Sequence, residues 1–244
     1  MIFSRINASI NESWRIKWFD KEVEMRKLLK MENKFIWKRE QNYIWERTLV
    51  YMFKGLVMKL VNTPITPNML TLFNLIVNVP ICCILAWNRH YILLALFIQI
   101  YCIFDILDGN LARNKHLSSK LGKILDNISD YIFYGVVFLV TGYRMDISFI
   151  IVICSVAVQY IYGFIATFYI APFIRGNNNF KRTKLKQFFY DRGILFGMDA
   201  TLQTIIASVF LLTGIGEYLF IFDMTLWVLD LIYRIYEMKV QKYL

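Results

Sequence analysis

Beyond residue 63 the chain falls into apolar runs of membrane-crossing length, separated by short polar connections. Asn68 to Trp87 is twenty residues without a formal charge, the length one spanning helix needs. Tyr91 to Asp108 is apolar until its last turn, where Asp105 and Asp108 appear, and Leu121 to Gly142 is apolar apart from Lys123, Asp126 and Asp130 near its start. Ile147 to Phe173 is a long apolar run containing Pro172, and Ile194 to Thr213 and Tyr218 to Tyr236 are apolar with an occasional Asp. This pattern predicts an all-α integral membrane protein with six transmembrane helices. Residues 1–63 read differently. Their aromatics, among them Trp14, Trp18, Phe19, Phe35, Trp37 and Trp45, alternate with Lys and Arg, the pattern of an N-terminal amphipathic interfacial helical arm. The predicted division is therefore 1–63 for the arm and 64–244 for the membrane domain.

Composition agrees. Apolar residues are 57% and charged residues 19%, against roughly 45–50% and 25% in soluble domains. That balance excludes a soluble globular domain, a disordered chain and a disulfide scaffold. The start of the chain has no basic stretch followed by an apolar one, so no cleaved signal peptide is expected. Cys82, Cys83, Cys102 and Cys154 lie inside apolar runs without metal-ligand spacing and read as small hydrophobes. With only His90 and His116, both beside basic residues, a His-rich zinc site is not expected.

The net charge of +10 changes the picture more. Under the six-span count, 26 of the 28 Lys and Arg fall on one side of the membrane, and only Arg89 and Arg144 on the other. By the positive-inside rule both termini, and the ends of the helices that carry the acids, face the cytoplasm. The basic, aromatic arm then meets anionic membrane lipid, and nucleic acid is not an expected partner.

The candidate chemistry sits where the second and third runs approach each other. Asp105 and Asp108 are spaced i,i+3, and Asp126 and Asp130 i,i+4, so each pair shares a helical face. A short connection lets the two faces oppose. Four carboxylates converging beside a bilayer need a cation, and carboxylate-only ligation suits a hard divalent ion such as Mg²⁺, Mn²⁺ or Ca²⁺. Gly109, Ala112 and Gly122 leave room for a bulky ligand, and Arg113 supplies a planar fork of donors suited to phosphate. These residues are what a metal-bound phosphate ester requires.

The spacing Asp105-x2-Asp108-Gly109-x2-Ala112-Arg113-x8-Gly122-x3-Asp126-x3-Asp130 resembles the signature of the CDP-alcohol phosphotransferases, integral membrane enzymes with six spanning helices. The likeness is detailed over roughly 64–135 and topological beyond. It implies that Asp105, Asp108 and Asp126 ligate one or two divalent cations, Mg²⁺ or Mn²⁺, that hold the pyrophosphate of a CDP-alcohol. Asp130, counted with the other three among the metal ligands and with Asp126 among the catalytic residues, would be the general base that takes the proton of an acceptor hydroxyl. The oxygen then attacks the phosphorus bearing the donor alcohol and expels CMP. Gly109, Ala112 and Gly122 would line the nucleotide pocket, and Arg113 would contact a phosphate. The expected role is in phospholipid or related polar-lipid biosynthesis, with CDP-diacylglycerol the preferred donor and a hydroxyl compound the acceptor. A polar CDP-alcohol donor or a lipid or glycan acceptor stays open, as does a homodimer.

Ser119 matches a hydroxyl often found near the phosphate in that family, and a solvated loop Ser reads equally well. Pro67, Asn68 and Thr71 resemble the family's start of the first span, with Asn68 and Thr71 toward the nucleotide, but Pro before polar residues is also a plain helix start. Arg175 and Arg192 stand nearest the span ends in the basic loop and are candidates for an acceptor phosphate, against topogenesis and lipid attraction as the simpler reading of that loop. Asp230 and Arg234, at i,i+4, are expected to pair with each other. The rival class is a cation transporter using the same four Asp. It is disfavoured because the acids occupy terminal turns rather than mid-bilayer, and because Arg113 stands beside them.

Overall fold

A computed structural model of the chain describes residues 35–38, 42–177, 180 and 182–242, with side chains to 240. The arm residues Trp14, Trp18 and Phe19 lie outside the described residues. One compact unit runs from Trp37 onward, and its described residues are mostly helical, with one short strand pair.

The order of elements is β1 (Asn42–Tyr43), α1 (Ile44–Val61), α2 (Pro67–Trp87), α3 (Tyr91–Asn114), α4 (Lys120–Arg144), α5 (Phe149–Gly176), α6 (Lys184–Tyr190), β2 (Ile194–Leu195), α7 (Ala200–Thr213) and α8 (Leu219–Lys242). Helices α2 to α5 are long and apolar enough to cross a membrane. Their outer faces display large apolar side chains such as Ile76, Ile84, Leu96 and Ile150, which water would not tolerate in such density. These four helices are the candidate spans of a membrane protein.

The last two predicted spans look different. The run Ile194 to Thr213 is not one helix: its first residues pair as strand β2 with β1, in parallel, Asn42 opposite Ile194 and Tyr43 opposite Leu195. Gly197 then turns the chain at a φ of +151°, where an added Cβ would lie 2.7 Å from Asp230 Oδ1. Helix α7 starts only after Asp199, whose carboxylate caps it by accepting from the Thr201 and Leu202 N–H groups. Its 14 residues span about 21 Å, short of the roughly 30 Å hydrocarbon core. Helix α8 is 24 residues long, but Asp223, Asp230, Arg234, Glu237 and Lys239 lie along it, so it falls outside the set of helices apolar enough to cross.

Helix α3 is the central element, packed by α1, α2 and α7. Its Leu94, Ile98 and Tyr101 join Cys82, Phe133, Val137, Val152, Leu211 and Phe220 in one continuous core. Buried amides stitch α2 to α3: Asn74 Nδ2 donates to the Tyr101 carbonyl at 3.0 Å, and Asn78 Nδ2 to that of Phe97 at 3.3 Å. Satisfied within the protein, these groups avoid the cost of an unpaired amide in lipid. Three spans contain a π-helical turn, at Asn74–Asn78, Phe133–Val137 and Ala166–Ile170. Two of these turns end two residues before Pro80 and Pro172, where the missing proline N–H leaves no regular bond to make. All four cysteines are free, and Cys154 lies on an exposed face rather than in the core.

Candidate active site

The site forms where α3 ends and α4 begins. Leu117 N–H bonds back to the Ala112 carbonyl at 2.9 Å, which closes α3, and exposed His116 takes a φ of +56° in that turn. Ser119 restarts the helix, its Oγ accepting from Gly122 N at 3.0 Å. The hydroxyl that the sequence left between phosphate contact and solvent is therefore a helix cap, and it still lines the cavity. On the other flank Thr66 caps α2 with Pro67 in its first turn, so Pro67 and Asn68 do begin a helix, one that turns Asn68 and Thr71 toward the acids.

The i,i+3 pair of α3 and the start of α4 bring Asp105, Asp108 and Asp126 together, with one carboxylate oxygen from each within 4.8 Å of the others. Asp130, one turn further along α4, stands outside this set and on the wall of the same cavity. Two of the acids have fixed partners. Thr71 Oγ1 donates to Asp108 Oδ2 at 2.5 Å, both residues being 4% exposed. Tyr101, one turn before Asp105, donates its phenol proton to Asp130 Oδ1 at 3.0 Å, and the Tyr101 phenol oxygen lies 3.1 Å from Ser129 Oγ.

The cavity holds about 640 Å³. Asn68, Thr71, Gly109, Ala112, Arg113, Ser119 and Gly122 all line it together with the four Asp, so the structure gathers every residue of the signature in one place. Arg113 leans over the bare backbone of Gly109 and donates to Asn110 Oδ1 at 3.0 Å. Gly122 is needed small, since a Cβ there would lie 3.0 Å from Asn68 Oδ1 and 3.1 Å from Ser119 Oγ.

Arg175 and Arg192 are not brought to this cavity. Arg175 is exposed at the end of α5, and Arg192 lies over the Phe188 ring, 3.6 Å from its centre, and donates to the Phe188 carbonyl. Residues that the sequence did not single out stand there instead. Lys38, Tyr43 and Glu46 come from the arm, Asn127 and Lys123 from α4, and Asp199 from the cap of α7. Residues 42–61 are held against the rest of the unit by the β1–β2 pairing and by Arg47, which donates to the Arg192 and Gly193 carbonyls at 3.1 Å.

Behind Tyr43 lies a charge cluster. Arg234 Nε bonds Asp230 Oδ2 at 2.7 Å, as their spacing predicts, and its Nη2 donates to the Tyr43 phenol at 2.9 Å. Tyr162 donates to the same Asp230 oxygen, and Lys186 bridges Asp230 and Glu237 at 3.4 and 3.3 Å. Burial pulls the Lys186 ammonium below its ordinary pKa against the attraction of those two carboxylates. Burial likewise raises the Tyr43 phenol, with Arg234 pulling the other way, so Tyr43 is a neutral donor and acceptor here.

A hard divalent cation fits the Asp105, Asp108 and Asp126 set, whose donors are all carboxylate oxygens converging from two helices. No curated protein matches the chain. The sequence profile described as CDP-alcohol phosphatidyltransferase matches residues 64–231. That segment begins at the turn into α2 and contains the whole acid cluster, so the chain belongs to the CDP-alcohol phosphatidyltransferase family.

Proposed function

We propose that the protein catalyses metal-dependent transfer of a substituted phosphate from a CDP-alcohol to an acceptor hydroxyl, releasing CMP. One observation carries this reading: three carboxylates of α3 and α4 converge within 4.8 Å, and a fourth, Asp130, lines the same cavity and accepts from the Tyr101 phenol. In this reading Asp105, Asp108 and Asp126 hold one or two divalent cations, Mg²⁺ or Mn²⁺. Such an ion supplies charge neutralisation on the phosphates and on the leaving oxygen. Thr71 fixes the orientation of the Asp108 carboxylate, Arg113 takes a phosphate oxygen through its fork, and the bare backbones at Gly109 and Gly122 admit the nucleotide. Asp130 removes the proton of the acceptor hydroxyl, and Tyr101 keeps that carboxylate aimed at it.

The donor in this proposal is CDP-diacylglycerol, which places the reaction in phospholipid synthesis. What supports it is an apolar groove of about 440 Å³, lined by Ile44, Trp45, Phe196, Leu226 and Leu229, that meets the catalytic cavity at Tyr43 and Asp199. An acyl chain of a donor held at the acids has a place to lie there. The proposal keeps the six-helix arrangement, with α7 and α8 completing the bundle, both termini and the site on the cytoplasmic side, and the basic arm against anionic lipid.

The test is CMP release by the purified protein with Mg²⁺ or Mn²⁺, CDP-diacylglycerol and an acceptor panel. Asp130→Asn is expected to abolish turnover while metal-dependent nucleotide binding persists. Substantial turnover in that variant removes Asp130 as the base, and ion flux into liposomes without CMP would replace the transferase by a transporter.

A further inference from the structure

Asp130 lines two cavities. One is the catalytic cavity with the three converging acids; the other is a chamber of about 300 Å³ on its far side, between α4, α5 and α8. The two share Tyr43, Asn127, Asp130, Asp199 and Ala200. If the acids of α3 hold the donor phosphates, a hydroxyl that gives its proton to Asp130 arrives from this second chamber. Its walls therefore select the acceptor, an inference that rests on the transferase reading above.

Those walls are unsuited to an anion. Among the described residues that line the chamber, Arg234 is the one Lys or Arg, and its charge is already met by Asp230 at 2.7 Å. The two acids of the lining, Asp130 and Asp199, add negative charge. Three of the phenols have spent their protons: Tyr134 donates to the Ala200 carbonyl at 3.1 Å, Tyr160 to the Tyr131 carbonyl at 2.6 Å, and Tyr162 to Asp230. The oxygens of these three phenols thus offer lone pairs and no proton. A phosphate oxygen is acceptor-only and needs donors, whereas a hydroxyl brings its own proton to such a wall.

We infer that the acceptor is an uncharged hydroxyl compound without a phosphate group, bound in the chamber beyond Asp130 with its hydroxyl protons directed at the phenol oxygens. In the transfer Asp130 takes the proton of one hydroxyl, whose oxygen forms a new bond to the phosphorus bearing the donor alcohol. The bond from that phosphorus to the CMP oxygen breaks, and CMP leaves with the electron pair. The hydroxyl has two sources, a water-soluble polyol or a neutral lipid alcohol dissolved in the bilayer.

The experiment measures kcat/KM for acceptors in matched pairs that differ only by a phosphate, one pair soluble (a polyol and its monophosphate) and one lipid (diacylglycerol and phosphatidate), each with CDP-diacylglycerol and with a polar CDP-alcohol as donor. The unphosphorylated member is expected to win by about 10-fold or more, since the phosphate adds uncompensated like charge beside Asp130 and Asp199. The pair that turns over identifies the source. Asp230→Asn removes the counter-charge of Arg234 and is expected to shift the ratio toward the phosphorylated member, a change that loss of structure alone does not produce. At Gly163, where an added Cβ meets nothing within 4 Å, Gly163→Leu fills the chamber and is expected to raise acceptor KM at least about 10-fold, with CDP-alcohol binding unchanged. Equal or better use of the phosphorylated acceptor, or an unmoved acceptor KM in Gly163→Leu, overturns the inference and leaves the transferase reading standing. No CMP from any donor and acceptor overturns both.

Discussion

Thr71→Val removes a single hydroxyl and nothing else of consequence, because Val has nearly the shape of Thr. The hydroxyl has one proton and two acceptors within reach, Asp108 Oδ2 at 2.5 Å and the Pro67 carbonyl at 3.3 Å. The shorter, charge-assisted contact takes it. Both residues are buried, so water does not replace the lost donor, and the Asp108 carboxylate is left free to rotate out of the set it forms with Asp105 and Asp126. A hydrogen bond to a charged group contributes about 1.5–3 kcal/mol, which corresponds to roughly 10- to 150-fold in an equilibrium constant. Losing a residue that orients a metal ligand typically lowers metal affinity about 10- to 100-fold. The two ranges agree, and they fix the expected result: the Mg²⁺ or Mn²⁺ concentration for half-maximal CMP release rises about 10- to 100-fold, with kcat at saturating ion largely kept. Thr71→Ser, which retains the hydroxyl, should stay near wild type. The assay is a metal titration of CMP release, with a thermal melt in parallel to show that the variant is folded. A Thr71→Val protein with an unshifted metal titration would refute the claim that this hydroxyl orients a metal-binding carboxylate.

Tyr101→Phe should lower kcat by about 10-fold while leaving the donor KM unchanged, because it takes the positioning donor from Asp130 and keeps the ring against Phe133; a steady-state split of kcat and KM checks it. Divalent ion should raise the melting temperature of the detergent-solubilised wild type, because binding to the folded site alone stabilises it by about 2.7 kcal/mol at a hundredfold excess over Kd. Replacing Asp126 by Asn should blunt that rise, since one of the three converging carboxylates is lost. Gly142→Ala should lower the melting temperature with little effect on the acids, because its Cβ would lie 2.4 Å and 2.7 Å from the Val152 methyls and 3.1 Å from Phe220; overpacking of that kind costs typically about 1–3 kcal/mol.

The chemistry was legible where it depended on short spacing. Two acid pairs on two helices joined by a five-residue turn are brought close, and all the signature residues do line one cavity. Asp230 and Arg234 pair as i,i+4 neighbours should. What the pattern concealed was long-range. Tyr101 reads as one more apolar residue of a span, although its position one turn before Asp105 puts it on the acid-bearing face. Nothing local announces that Tyr43 pairs with Leu195 and reaches Arg234, 191 residues away. The run Ile194 to Thr213 has the hydropathy of a span, but Gly197 and the capping Asp199 break it into strand, turn and short helix. Arg175 and Arg192 are near span ends in the sequence, but nearness along the chain does not aim a side chain: Arg192 turns back onto Phe188, four residues earlier.

The most direct measurement follows the phosphorus. CDP-diacylglycerol labelled at the phosphate that bears the diacylglycerol is incubated with the protein, divalent ion and acceptor, and the products are separated. The account predicts the label in the acceptor-linked product, an equal amount of unlabelled CMP, and neither product with Asp130→Asn. Label in the nucleotide, or in phosphatidate formed equally with and without acceptor, would contradict it.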